Sequence, residues 1–170
     1  IALSKQWLNR FIESFGFEPL IWNSKVKSSK KKEVWQACIK GETVVVVGAR
    51  SSIFLPFLNL GLIVVDEEND TSYKQEDNTI YNARDMAIIR SKINNSEILL
   101  VSATPSLETY QNCILKKYET VYLNTRFGIA ESPKINLIDM KKKASDVFAL
   151  QTQEILKEKI KSGKQVLILI

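Results

Sequence analysis

The chain has 170 residues, enough for one domain or one domain and the start of another, and its 45% hydrophobic content is ordinary for a globular core. No apolar run approaches the roughly 20 residues of a membrane-spanning helix, and the N-terminus lacks the basic-then-apolar order of a signal peptide. Cys38 and Cys113 stand alone and there is no histidine, which excludes a clustered Cys/His metal site and leaves two reduced thiols. The net charge of +5 permits contact with nucleic acid phosphates, although lysines scattered over helix faces are more often only solvated.

In chain order, residues 2–15 read as a helix with Leu3, Trp7, Phe11 and Phe15 on one face, and residues 18–22 as a short strand. Residues 28–40 read as a second helix with Val34, Trp35 and Cys38 inward, ended by Gly41. Residues 43–47, 62–65 and 98–101 are continuous apolar runs, as expected of strands buried on both faces. Helices are expected at 83–93 and 105–117, the latter capped by Thr104 with Pro105 in its first turn. Residues 134–139 read as a further strand and 150–161 as a helix. Residues 132–134 and 141–146 read as connectors, and 165–170 as a strand cut off at its end. With no initiator Met either, the chain reads as a fragment with both ends missing.

Alternation of strand and helix around apolar strands predicts an α/β fold: a parallel sheet of about five strands with helices on both faces. Ligands in such sheets bind beyond the carboxyl ends of the strands. Strand 62–65 runs into Asp66, Glu67, Glu68 and Asn69. An acidic pair there suits nucleotide hydrolysis, one carboxylate holding Mg²⁺ and the next activating water, though acidic turns after strands are also common. Strand 98–101 runs into Ser102, Ala103, Thr104 and Pro105, whose hydroxyls can hydrogen-bond the acidic loop or simply start a helix. Strand 43–47 runs into Gly48, Ala49, Arg50 and Ser51, where glycine allows close backbone approach and Arg50 and Ser51 can meet a phosphate. The acidic and Ser-Ala-Thr boxes start 36 residues apart, at 66 and 102, which is the layout of superfamily 2 helicases.

The stretches "GARSSIFLPFLNLGLIVVDEENDTSYKQED", "YNARDMAIIRSK" and "SATPSLETY" resemble the replication-restart helicases of the primosomal protein N′ (PriA) family in particular. "IALSKQW" is similar to that family's DNA-contacting segment, and "GKQVLILI" to the first strand of its second motor lobe. The resemblance implies a RecA-like (P-loop NTPase type) first lobe, truncated at both ends, over residues 1–125. A connector would follow at 126–148 and the start of the second lobe at 149–170. It implies an ATP-driven 3′-to-5′ DNA helicase acting at stalled forks in the bacterial cytoplasm, with no membrane contact. Its partners would be forked or single-stranded DNA, the primosome and single-strand-binding proteins. Asp66 would take the Mg²⁺ of ATP and Glu67 would activate water, while Glu68, Asn69, Ser102, Ala103 and Thr104 would couple hydrolysis to motion. Ser4, Lys5, Arg50, Ser51, Tyr73, Lys74, Tyr81 and Arg84 would serve DNA binding, with the tyrosines stacking on bases or else simply packed under a loop, and Lys74 and Arg84 binding phosphates or else neighbouring motifs. Zinc is expected only in the part of such a protein beyond residue 170.

Asn69 and Asn23 stand where the family has histidines, and Ile80 where it tends to have Arg. No G-x-x-x-x-G-K-[ST] phosphate loop occurs, so the chain by itself is expected not to hydrolyse ATP. A lobe that binds DNA or a partner without hydrolysis is the alternative; the intact Asp66–Glu67 pair and Ser-Ala-Thr box weigh against it.

Overall fold

The structure is a computed structural model that describes residues 5–125, 134–139 and 148–168. The chain divides into two compact units, one ending at Thr120 and one beginning at Val121.

The first unit opens with α1 (Lys5–Phe15), where residues four apart bring Trp7, Phe11 and Phe15 into one row. Ring centroids are 5.4 Å apart for Trp7–Phe11 and 4.6 Å for Phe11–Phe15, and Phe17 meets Phe11 edge-on. Next come β1 (Leu20–Trp22), α2 (Ser28–Lys40) and β2 (Val46–Gly48). Gly41 ends α2 in the left-handed conformation, φ 69°, where glycine carries no Cβ penalty. β1 and β2 pair in parallel, Leu20 with Val46 through Trp22 with Gly48. A small core of Val34, Cys38 and Leu55 supports them, with Leu20, Trp22, Val46 and Phe57 packed around it. Burial raises the Cys38 thiol pKa, which keeps it protonated and inert.

A 3₁₀ turn (Arg50–Phe54) leads to β3 (Leu62–Asp66). A second 3₁₀ turn (Thr71–Tyr73) enters a hairpin of β4 (Lys74–Gln75) and β5 (Tyr81–Asn82). α3 (Ala83–Asn94), β6 (Glu97–Val101) and α4 (Leu107–Ile114) complete the unit. β3 and β6 pair in parallel over five residues, from Leu62 with Glu97 to Asp66 with Val101. This register sets the acidic box and the Ser-Ala-Thr box side by side. Arg90 on α3 fastens the 3₁₀ turn by donating to the carbonyls of Ile53 and Leu55.

The α/β class and parallel pairing agree with expectation, and four details differ. The parallel strands form two separate two-stranded ladders, with an open cavity of about 830 Å³ lined from both β2 and β3, so no five-stranded sheet is present among the described residues. β3 and β6 are not buried on both faces: Leu62, Val64, Leu99 and Val101 are exposed and only Val65 is buried. Trp35, expected inward, is 43% exposed because it lies one position beyond the Val34–Cys38 stripe of α2. Ser106, not Thr104, caps α4, since Pro105 holds the chain extended until Ser106 accepts from the Thr109 N–H.

In the second unit α5 (Leu150–Lys161) forms as expected, with Lys159 and Lys161 at its negative end. Residues 134–139 and 165–168, expected as strands, have no ladder partner among the described residues.

Candidate functional site

The site is built where β3 and β6 end. At Asp66 the strand stops, and Glu67 takes a left-handed backbone, φ 49°, a conformation seldom adopted by non-glycine residues. The turn is held by the Asp70 N–H donating to the Glu67 carbonyl at 2.8 Å, and by the Glu68 N–H donating to the Val101 carbonyl of β6 at 3.0 Å. Adjacent carboxylates are thereby sent to opposite fates. The Asp66 and Glu67 carboxylates are exposed, with no hydrogen bond or ion pair from a described residue, whereas Glu68 is 2% exposed.

Glu68 is fully engaged. Its carboxylate accepts from the Ser106 N–H (2.6 Å), the Ser106 hydroxyl (3.1 Å), the Thr109 hydroxyl (3.0 Å) and the Arg84 guanidinium (3.2 Å). Burial alone would push its pKa up. The Ser106 N–H, the Thr109 and Ser106 hydroxyls and Arg84 outweigh burial and hold it below the ordinary glutamate value. Arg84 also pairs with Asp85 at 2.8 Å and donates to Ser106 at 2.8 Å. One buried carboxylate thus ties together the acidic turn, the start of α3 and the start of α4.

Asn69 makes the second link. Its amide accepts from the Ser102 hydroxyl at 2.6 Å and donates to the Thr104 hydroxyl at 3.3 Å, while Ser102 accepts from the Thr104 N–H at 3.0 Å. An amide supplies both functions through one planar group, without titrating. Ala103 contributes an exposed methyl between the two hydroxyl residues.

The 70–85 segment is ordered by its own side chains. Asp70 caps the second 3₁₀ turn by accepting from the Ser72 N–H, and that bond lowers its pKa. The Tyr73 hydroxyl donates to the Asp66 carbonyl at 2.6 Å. Burial and then the negative charges of Asp66, Asp70 and Glu67 raise its pKa, so it remains a donor. Arg50 donates to the Lys74 carbonyl at 2.6 Å, which joins the turn after β2 to the hairpin. Gln75 spans the hairpin by donating to the Asp77 and Thr79 carbonyls. Lys74 pairs with Glu76 at the surface, and Tyr81 meets the exposed Phe54 edge-on at 5.2 Å.

Asp66, Glu67, Glu68, Asn69, Ser102 and Thr104 are brought together as the residue pattern suggested. Arg50 and Ser51 lie at the end of the other ladder, where Ser51 accepts from the Trp22 indole at 3.1 Å. Lys5 is exposed at the start of α1, and Ser4 lies outside the described residues. Arg84, with its side chain 11% exposed, faces Glu68 rather than solvent, and Tyr73 is turned under the acidic loop. Ser106 and Thr109 were missed as site residues. A serine followed by an acid at Glu108 is a helix-start signal, but nothing in the pattern indicates that its partner is Glu68.

No group of three or more His, Cys, Asp or Glu able to cage a metal occurs among the described residues. Two free carboxylates at a strand end nevertheless suit Mg²⁺, which keeps waters and takes phosphate oxygens beside one or two carboxylates.

Residues 1–113 match the family described as DEAD/DEAH box helicase, and the chain belongs to that family. Among curated proteins it is 47% identical over its whole length to the replication restart protein PriA of Rickettsia felis. It is 55% identical over 84% of its length to that of Rickettsia prowazekii, and 36% identical over its whole length to that of Bacillus subtilis. The chain spans 27% of the first of these relatives and 22% of each of the other two, about a quarter of their length.

Proposed function

We propose that the chain is the part of a first helicase lobe that activates water and senses the nucleotide, in an ATP-dependent 3′-to-5′ DNA helicase of replication restart. The names of its relatives and the helicase family support that role. One observation supports the mechanism above others: Asn69 bridges both hydroxyls of the Ser-Ala-Thr box while the neighbouring Asp66 and Glu67 carboxylates, at the end of β3, have no hydrogen bond or ion pair among the described residues.

On this reading Asp66 would hold the Mg²⁺ of the bound nucleotide, and that ion would supply charge neutralisation at the phosphates. Glu67 orients water and takes its proton as the water oxygen bonds to the γ-phosphorus. The bond to the bridging oxygen breaks, and ADP and phosphate leave. Glu68 is a positioning residue: its bonds to Ser106, Thr109 and Arg84 fix the backbone that presents Glu67. Asn69, Ser102, Ala103 and Thr104 carry the presence or loss of the γ-phosphate into the start of α4. Arg50, Ser51, Lys5 and Ser4 meet the DNA backbone, with Lys74 and Tyr81 reaching it from the hairpin. Tyr73 and Arg84 act by holding the acidic turn rather than by touching DNA. The primosome and single-strand-binding proteins are the partners this role implies.

The test uses the natural full-length protein and measures ATP hydrolysis with and without single-stranded DNA. DNA is expected to stimulate hydrolysis, and Glu67→Gln to lower the rate by about 10²–10⁴, the usual contribution of a positioned base. Asn69→His is expected to retain DNA stimulation, since imidazole also offers one donor and one acceptor. Hydrolysis that survives Glu67→Gln unchanged, or none under any DNA condition, overturns the reading.

A further inference from the structure

Residues 23–41 carry six lysines, at 25, 27, 30, 31, 32 and 40, against a single acid, Glu33. Lys30, Lys31 and Lys32 lie in the first turns of α2, with Lys27 at its cap and Lys25 just ahead of it, where the positive end of the helix dipole disfavours cations. Lys27, at the cap position, gives no side-chain cap, and the first turn holds no acid. Lys30 has a carboxylate, Glu33, at 2.9 Å, and Lys40, at the other end of α2, has Glu42 at 3.9 Å; no ion pair to Lys25, Lys27 or Lys32 occurs among the described residues. Local stability does not explain this arrangement, and departures of that kind collect at functional surfaces.

The same face of α2 carries aromatic surface. Lys31 and Trp35 are four residues apart and lie on one side of the helix. The Lys31 ammonium sits 5.7 Å from the Trp22 ring centroid, and the Trp22 and Trp35 rings lie 6.5 Å apart, tilted by 35°. Trp35 is 43% exposed. On its far side Trp22 donates to Ser51, so the patch continues to the Arg50–Ser51 turn. Lysines interleaved with an exposed indole match a single-stranded nucleic acid, whose backbone takes the cations and whose bases stack. A duplex hides its base faces, and an acidic peptide has no use for the indole.

We propose that the Lys27–Lys31–Trp35 face of α2 is a binding surface for single-stranded DNA, extending the track from Ser51 across Trp22. The proposal rests on the reading of the chain as part of a DNA helicase and adds the path of the strand.

The test is binding of a fluorescent oligothymidylate to the full-length protein by anisotropy, over a series of salt concentrations. The triple variant Lys27→Gln, Lys31→Gln, Lys32→Gln is expected to reduce the slope of log affinity against log salt by about 2, at about 0.7 for each single-strand phosphate no longer neutralised. Trp35→Ala is expected to weaken binding roughly 5- to 100-fold with the slope unchanged, and Trp35→Phe to keep most of the affinity. Lys92→Gln, on α3, is the control for net charge and is expected to leave the slope in place. If Trp35→Ala destabilises the protein, the lysine variant still decides the matter. Wild-type affinity and slope in the α2 variants would overturn the inference, as would unchanged DNA binding with loss of binding to polyglutamate, which makes the patch a protein surface. If wild type binds and Glu67→Gln still abolishes hydrolysis in those cases, this inference fails alone. If wild type binds no oligonucleotide, the helicase reading fails with it.

Discussion

The two parallel ladders of the first unit end in different ways. Beyond β1 and β2 the turn at Gly48 rests on an apolar core of Val34, Cys38 and Leu55, and on a close backbone approach. Beyond β3 and β6 the turn rests on a buried carboxylate with four donors and on an amide shared by two hydroxyls. Apolar packing at the β1–β2 end is supplemented by hydrogen bonds from Arg50 to the Lys74 carbonyl, from the Trp22 indole to Ser51 and from Arg90 to the carbonyls of the 3₁₀ turn. A strand end that leaves Asp66 and Glu67 open to water is not walled with apolar side chains. It is positioned instead by directional hydrogen bonds from beneath, which fix the backbone angle as well as its location.

Breaking the polar end is expected to cost most. Arg84→Leu removes the charge partner of buried Glu68 and is expected to lower the local stability of β3 and β6 by about 3 kcal/mol, read by amide hydrogen exchange. Glu68→Gln is milder and sharpens the point through pH. Because the Glu68 pKa is depressed in the folded state, its stabilisation is complete above the ordinary glutamate range and is lost as pH falls through the folded value. Glu68→Gln is expected to flatten that acid limb in unfolding measured from neutral pH downward. An unchanged acid limb would remove Glu68 from the account.

The apolar end has a steric test. A Cβ on Gly48 would lie 2.6 Å from Ser52 Cβ and 2.8 Å from the Trp22 carbonyl oxygen, so Gly48→Ala is expected to cost about 1–3 kcal/mol in exchange protection of β1 and β2, leaving β3 and β6 unaffected. Spread of that loss to β3 would show that the two ends are not independent. Asn69→Ala should be smaller, about 1 kcal/mol, with its main effect on how far DNA stimulates hydrolysis. Smallest of all is Lys30→Ala, whose exposed pair with Glu33 is expected to leave stability unchanged within error.

Much of this was legible in the residues. Helix α2 runs over the range its pattern marks, because Gly41 stops it with a conformation few other residues accept. The pairing of the acidic and Ser-Ala-Thr boxes followed from two apolar strands feeding them. Less legible was burial. Leu62, Val64, Leu99 and Val101 read as core, yet composition says only that a strand face is apolar, not what covers it. For Arg84 and Tyr73 the residues left two settings open, toward a phosphate or base or against the neighbouring loop, and only the placed partners Glu68 and Asp66 distinguish them.

The sequence by itself determined the order of the strands, the identity of the groups at their ends and the family that shares them, since these depend on local periodicity and on residues adjacent in the chain. Only the tertiary structure decided which of two neighbouring glutamates is buried. Glu67 and Glu68 are equivalent as residue types. The left-handed turn at Glu67 and the donors at Arg84, Ser106 and Thr109, up to 41 residues away, bury one and leave the other facing water.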